Sequence, residues 1–290
     1  MSAFEANSPL RYPGGKAVLS DFLSATIEAN ELKGCCYVEA YAGGAGAAVN
    51  LLLSGKVERI ILNDADVSVW SFWRAILNQT DAFIDRIKST SVTISEWKRQ
   101  REIYRDQPRR ILDLGFAAFF LNRCNRSGIM TNGGVIGGLT QTGKWKIDAR
   151  YNRDQLVERI ERIAAFRDKI KVCNLDAINF LRSEILPEKD RSRFFVYLDP
   201  PYYLKGSRLY LNYYAPQDHA KLARFLRQIE NVHWLVTYDN TPEIRRLYSW
   251  SAITDFRLHY SAATSKEGSE ILIANPGLKL PLAGLHALAA

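Results

Sequence analysis

Two rhythms of apolar residues alternate along the chain. Short blocks rich in apolar, β-branched and aromatic residues recur at Cys35–Glu39, Arg59–Asp64, Ile170–Asp176, Phe194–Leu198 and His233–Tyr238. Runs of that length and composition suit strands buried on both faces of a parallel sheet. Between them lie stretches with helical spacing, at Val18–Ala29, Ala47–Leu53, Val67–Leu77, Gln155–Phe166 and Gln217–Ile229. Strand alternating with helix predicts an open α/β sheet. Thr254–Tyr260 and Glu270–Ala274 read as a closing pair of strands joined by a loop, Ser261–Ser269.

The alternation breaks between Thr80 and Arg153. Trp97–Arg110 reads as a basic helix and Ile111–Leu121 as an apolar one, followed by the polar, basic stretch Asn122–Met130. Thr131–Gly143 is glycine-rich and too long for a simple turn. Residues 80–165 are therefore expected to be an insert that divides the α/β domain into residues 1–79 and 166–290.

Charge sharpens that division. The 290 residues carry a net charge of +8, and between Arg86 and Arg153 there are 14 Lys and Arg against 5 Asp and Glu. That stretch exceeds the whole chain's net charge, so the remainder is close to neutral. A basic segment on a neutral body points to a polyanion. With 47% hydrophobic residues the chain can build a sizeable core, yet no stretch is long and apolar enough to span a bilayer. No secretory signal is apparent at the N-terminus, and Cys35, Cys36, Cys124 and Cys173 have no disulfide or zinc spacing. A reducing cytoplasm is the expected setting, with no metal and no membrane. His219, His233, His259 and His286 are scattered and read as structural.

Phe194–Leu198 runs into Asp199-Pro200-Pro201-Tyr202. The prolines end the strand and hold the preceding residues extended. A carboxylate, a carbonyl and an aromatic face thus meet at the carboxyl end of a strand, where open α/β sheets bind ligands. The array suits an exocyclic amine on an aromatic ring, whose lone pair is delocalised. Asp199 and the Pro200 carbonyl can accept its two N–H groups and free the lone pair, while Tyr202 stacks on the ring. The plainer reading is a strand end, a Pro-Pro turn and a surface tyrosine.

Other turns add to the picture. Glu39 precedes the glycine-rich Ala40–Gly46, a strand–turn–helix unit of nucleotide-binding folds. An acid ahead of the glycines disfavours pyrophosphate and favours a nucleoside with a positively charged substituent. Asp64 stands where such folds bind ribose hydroxyls, or it caps the next helix. Tyr12 and Lys16 flank Pro13-Gly14-Gly15, where backbone can approach a ligand closely. Leu204–Tyr214 is polar and aromatic, as in a lid.

Together, Arg11–Lys16, Glu39–Gly46, Asn63-Asp64, Phe120–Arg123 and Asp199–Tyr202 resemble, in order, the motifs of the DNA adenine-N6 methyltransferases of the Dam type. The likeness spans about Pro9 to Asn275. It implies a Rossmann-like sheet of the S-adenosylmethionine-dependent methyltransferase type, carrying a smaller, mostly helical DNA-recognition insert at residues 80–165. It implies that Tyr12, Lys16, Glu39, Tyr41, Gly43, Asp64, Asp176 and Asp199 line a site for S-adenosyl-L-methionine, and that Asp199, Pro200 and Tyr202 hold the target adenine. On the DNA side it implies Arg11, Asn122, Arg123, Arg126, Ser127 and Arg150, with a DNA-entering hairpin near Arg123–Ile129. Ala40 stands where the family usually has proline, and Ala45 where glycine is common.

The resemblance implies methyl transfer to N6 of an adenine flipped out of double-stranded DNA, in the prokaryotic nucleoid or from a phage. A monomer or weak dimer and a cognate restriction nuclease complete the expectation. The rivals are a catalytically silent DNA-binding protein of the same fold and an RNA adenine-N6 methyltransferase. Cytosine N4 and protein glutamine are disfavoured as acceptors, since those families usually carry Ser or Asn in place of Asp199.

Overall fold

The computed structural model describes residues 7–11, 16–204, 214–260 and 266–281. In chain order these form α1 (Ser20–Ala29), β1 (Cys36–Glu39), α2 (Gly46–Leu53), β2 (Arg59–Asn63), α3 (Val67–Asn78), α4 (Thr80–Ser89), α5 (Ile94–Asp106), α6 (Ile111–Cys124), α7 (Arg153–Ala164) and β3 (Ile170–Cys173). They continue with α8 (Ala177–Phe180), β4 (Phe194–Leu198), α9 (Pro216–Gln228), β5 (His233–Asp239), α10 (Pro242–Leu247), β6 (Ala252–Tyr260) and β7 (Lys266–Ala274). Two compact units result. One comprises residues 1–6, 16–65 and 169–290, the other residues 7–15 and 66–168.

The first unit holds a seven-stranded sheet in the order β3-β2-β1-β4-β5-β7-β6. The first five strands are parallel, and β7 runs antiparallel to both β5 and β6. This is the Rossmann-like sheet the motifs imply. Every residue of β1 and β4 is buried, as their unbroken apolar runs require. Val196, Leu198, Trp234, Val236, Ile271 and Ile273 anchor one face of its core. The closing strands run longer than expected, because β6 and β7 pair from Ala252↔Ala274 out to Tyr260↔Lys266. Lys266-Glu267-Gly268-Ser269 lacks strand patterning, so only the partner strand holds it extended.

Among its described residues the second unit holds helices, an irregular stretch over residues 129–152 and one isolated bridge, Asn125↔Val135. It includes α3, so its longer segment begins at Asp66. Aromatic rings fill its centre: Phe72 of α3 stacks on Phe119 of α6 at 5.9 Å, with Phe83 and Tyr151 edge-on to Phe119. The basic and apolar helices expected from the sequence are α5 and α6. Gln107, left-handed at φ 45°, ends α5 ahead of Pro108. No described helix is long and apolar enough to cross a membrane.

Gly115 lets α6 approach α3, since a Cβ there would lie 2.6 Å from the Ser71 carbonyl oxygen. Backbone cannot yield as a side-chain tip can. Gly115→Ala is expected to cost about 1–3 kcal/mol by overpacking, measured by urea unfolding; an unchanged midpoint would contradict this packing.

Candidate active site

The strand order reverses its direction of growth between β1 and β4. Chain progress runs outward through β1, β2 and β3 on one side and through β4 and β5 on the other. A crevice at such a switch point is where open sheets bind ligands. The glycine-rich turn leaves β1 there, and Asp199-Pro200-Pro201-Tyr202 leaves β4 beside it, with Glu39 level with Tyr197.

Each of the five parallel strands ends in, or within three residues of, an acid. In spatial order these are Asp176, Asp64, Glu39, Asp199 and Asp239. Glu270 of β7 lies opposite Asp239. The Lys16 ammonium meets this rim, 3.0 Å from Asp199 Oδ1 and 3.9 Å from Glu270 Oε2. It also donates to the Tyr202 hydroxyl at 2.8 Å. The Tyr202 hydroxyl in turn donates to Glu270 Oε1. Lys16, Tyr202, Asp199 and Glu270 are therefore one connected network.

Two further groups orient the motif. Thr237 of β5 donates its hydroxyl to Asp199 Oδ1 at 2.9 Å. The buried Tyr197 hydroxyl lies 2.8 Å from Thr237 Oγ1. Since Thr237 gives its proton to the carboxylate, Tyr197 is the donor in that pair. Asp239 accepts from the amides of Tyr203 and Leu204, both at 2.9 Å, which clamps the chain just after the motif. Buried His219, bonded to the Tyr238 hydroxyl at 2.9 Å, packs against the Tyr203 ring.

On the β1 side, Asp64 accepts the Gly43 amide at 2.7 Å. It braces the glycine turn, while Asp66 caps α3 by accepting from Ser68. Glu39 is buried and accepts the Ala48 amide in the first turn of α2 at 2.9 Å. Ala45 is left-handed at φ 45°, a conformation that costs a non-glycine residue on the order of 1 kcal/mol. Asn63 ties the ends of β1, β2 and β3 together, donating to the carbonyls of Ala40 and Leu175. Asp176 is exposed and caps α8 through Oδ1. The Tyr41 hydroxyl meets that of Tyr214 at 2.7 Å. Tyr12 and the expected lid, beyond Leu204 and before Tyr214, lie outside the described residues.

Burial pushes the Glu39 carboxyl up to about 8 and, against the pull of Lys16, the Glu270 carboxyl to about 7. Asp199 adds to both shifts, and Asp239 to that of Glu270. Burial likewise raises the Tyr202 phenol, and the carboxylates of Asp199 and Glu270 reinforce it, so it remains a hydroxyl.

Within the second unit, the residues expected on DNA divide into two groups. Asn122 is fully buried. Its side chain takes the Arg11 amide at 2.7 Å and gives to the carbonyls of Arg11 and Gly128. Arg123 is buried too, with Nε on the Arg150 carbonyl at 2.6 Å and Nη1 near the Pro9 carbonyl at 3.4 Å. Both fasten backbone and so shape the loop that follows. Arg126 and Arg150 are exposed, and Ser127 is half-buried and left-handed at φ 54°. Arg11 is half-buried, with Nη1 buried and unbonded among the described residues. Burial, then the charge of Arg150, lowers its pKa; burial, then Arg11 and Arg159, lowers that of Arg123. These guanidiniums repel one another, which an anion would relieve.

Thr237, Asp239 and Glu270 were not singled out from sequence. Thr237 reads as an ordinary strand position, Asp239 as a residue following the strand, and Glu270 as the start of a strand. The signal within reach was the repeated acid at strand ends, which Asp239 continues.

A parallel sheet with an acid-lined switch point and Asp-Pro-Pro-Tyr after its central strand defines a Rossmann-like methyltransferase. The sequence profile of the D12 class N6 adenine-specific DNA methyltransferases matches residues 12–265. The chain belongs to that family and is an adenine-specific DNA methyltransferase. It is 24% identical over 238 residues to the Type II methyltransferase M.CviBI of Paramecium bursaria Chlorella virus NC1A, covering 77% of this chain and 80% of the relative. It is 20% identical over 246 residues to the Type II methyltransferase M.MjaIII of Methanocaldococcus jannaschii, covering 76% and 79%. Among solved structures, the rRNA methyltransferase AviRa of Streptomyces viridochromogenes aligns over 97% of this chain and 90% of its own, at 11% identity and a TM-score of 0.39.

The raised carboxyls predict a pH dependence. In the folded state Glu39 and Glu270 hold protons above the ordinary 4.5, so at these two sites the native chain binds more protons than the unfolded one between 4.5 and about 8. Their contribution to stability then falls as pH rises through that window. Glu39→Gln is expected to lessen the difference in unfolding free energy between about pH 5 and about pH 8.5. An identical difference in the two proteins, by urea unfolding, would show that Glu39 titrates normally.

Proposed function

We propose that the chain transfers a methyl group from S-adenosyl-L-methionine to N6 of an adenine flipped out of double-stranded DNA at a specific short sequence. The observation that carries this is Asp199, held by Thr237 and Lys16 at the carboxyl end of β4 beside the β1 glycine turn. A fixed acceptor there, with the Pro200 carbonyl and the Tyr202 ring, matches the two N–H groups and flat face of an adenine. The base must leave the helical stack to reach such a corner.

The residues fit the cofactor by their chemistry. S-adenosylmethionine carries a sulfonium, an ammonium and ribose hydroxyls, and supplies an electrophilic methyl group when bound. The acid-lined rim favours cations and hydroxyl donors over phosphates. Glu39, buried and raised to about 8, is a carboxyl that a nearby positive charge would ionise. Lys16, Tyr41, Gly43, Asp64 and Asp176 complete the proposed set, and Tyr12, outside the described residues, is assigned to it by the resemblance alone. Asp199 and the Pro200 carbonyl accept the amine's N–H groups, draw nitrogen towards tetrahedral geometry and expose its lone pair. Tyr202 holds the ring for in-line attack, so the catalysis is positional and electrostatic.

In the second unit, residues 80–165 form the proposed target-recognition insert. Arg126, Arg150, Ser127 and Arg11 are the proposed DNA contacts, with Asn122 and Arg123 shaping the loop beneath them. The bridge Asn125↔Val135 closes the base of this loop, as a hairpin entering a groove requires.

Labelled methyl transfer to genomic DNA from a methylation-free strain, followed by base-resolution mapping, tests the reading. N6-methyladenine at one short sequence is expected. Label on RNA alone would move the substrate to RNA, and no transfer at all would favour a silent binding protein. Asp199→Ala is expected to lower kcat by at least about 100-fold with the fold retained; near wild-type transfer would misplace the site. Arg126→Ala and Arg150→Ala should each reduce the slope of log affinity against log salt by about 1 on every duplex, measured by fluorescence anisotropy. An unaltered slope would remove that arginine from the interface.

A further inference from the structure

Glu270 is almost completely buried, 1% exposed, and neither the motifs nor the resemblance gives it a role. Its two oxygens have different environments. Oε1 accepts the Tyr202 hydroxyl, whereas Oε2 is buried and has no hydrogen-bond partner among the described residues. A buried carboxylate oxygen without a donor is costly and calls for an explanation. The nearest cation is the Lys16 ammonium, 3.9 Å from Oε2, close enough for attraction but too far for a hydrogen bond.

Lys16 meanwhile forms an ion pair with Asp199 Oδ1 at 3.0 Å. If Asp199 receives the target amine, that ammonium competes for the same carboxylate. Lys16 is buried, so pushing it away from its counter-ion with nowhere to go would be strongly unfavourable. A second carboxylate oxygen, unbonded and roughly 1 Å beyond hydrogen-bond reach, offers such a place.

We propose that Glu270 is a positioning residue that receives the Lys16 ammonium on Oε2 when the substrate amine takes over Asp199, while its Oε1 continues to hold the Tyr202 hydroxyl. The exchange is a short side-chain movement with no covalent step, and it keeps the ammonium paired throughout. It rests on the reading of Asp199 as the amine acceptor. The groups that face Glu270 are Lys16 from the segment before α1, Asp199 and Tyr202 from the turn after β4, and Asp239 from β5. Lys16 is the sole cation among them. Asp199 and Asp239 repel the carboxylate, and of these charged groups Lys16 alone favours its ionised form.

The test is a double-mutant cycle on the full chain, with S-adenosylmethionine and a duplex carrying the mapped target. Glu270→Gln preserves an acceptor for Tyr202 but removes the second counter-ion. It is expected to lower kcat/KM for DNA about tenfold, chiefly through KM. In a Lys16→Met background, where no ammonium competes for Asp199, Glu270→Gln should have no further effect. Equal losses in both backgrounds, or no loss in either, would overturn the proposal and leave Glu270 as packing. If Glu270→Gln does not fold, a crystal structure of the wild type with S-adenosylhomocysteine and target duplex decides. Lys16 bonded to Glu270 supports the exchange, and Lys16 still on Asp199 refutes it. A wild type that methylates no adenine would instead remove the underlying reading.

Discussion

Parallel pairing of β1 with β4 is the constraint from which the site follows. Parallel strands point all their carboxyl ends the same way, and a sheet buried on both faces tolerates charge only at those ends. Acids that follow separate strands, far apart in sequence, therefore collect along one edge. With Asp176, Asp64, Glu39, Asp199 and Asp239 on that edge, the rim is anionic before any ligand arrives. The switch of direction between β1 and β4 opens it where the two most elaborate turns emerge.

Such a rim is unstable unless its charge is managed, and the fold does this in three ways. Some carboxylates accept backbone amides: Asp64 from Gly43, Asp239 from Tyr203 and Leu204, Asp176 from α8. Others resist ionisation, as burial does to Glu39 and Glu270. Asp199 is matched by Lys16 and by the Tyr197–Thr237 hydroxyl chain. These bonds also fix the direction in which each oxygen points, so neutralising the edge and organising the site are one process.

The helical unit poses the opposite problem. Arg11, Arg123, Arg150 and Arg159 lie close enough to repel one another, and Arg123 is buried through bonds to the carbonyls of Arg150 and Pro9. Using buried Asn122 and Arg123 to fasten backbone leaves Arg126 and Arg150 at the surface. A loop shaped from below by side chains can present exposed cations in a fixed arrangement, which a phosphate backbone can then read.

The α/β class, the order of strands along the chain, and Asp199-Pro200-Pro201-Tyr202 at a strand end were all legible in the sequence. These depend on local composition and on stiffness at proline, and neighbouring residues decide both. The family was legible for the same reason, since its motifs are short and contiguous. Thr237, Asp239 and Glu270 were not, because they act on the motif from other strands and nothing near them in sequence marks the partner. Asn122 and Arg123 were legible as polar and basic, but their burial against backbone carbonyls is decided by tertiary packing alone. The outer half of β7 likewise exists only because β6 offers it hydrogen bonds. Sequence determined what each segment could be; pairing and burial decided which of its polar groups face each other and which face out.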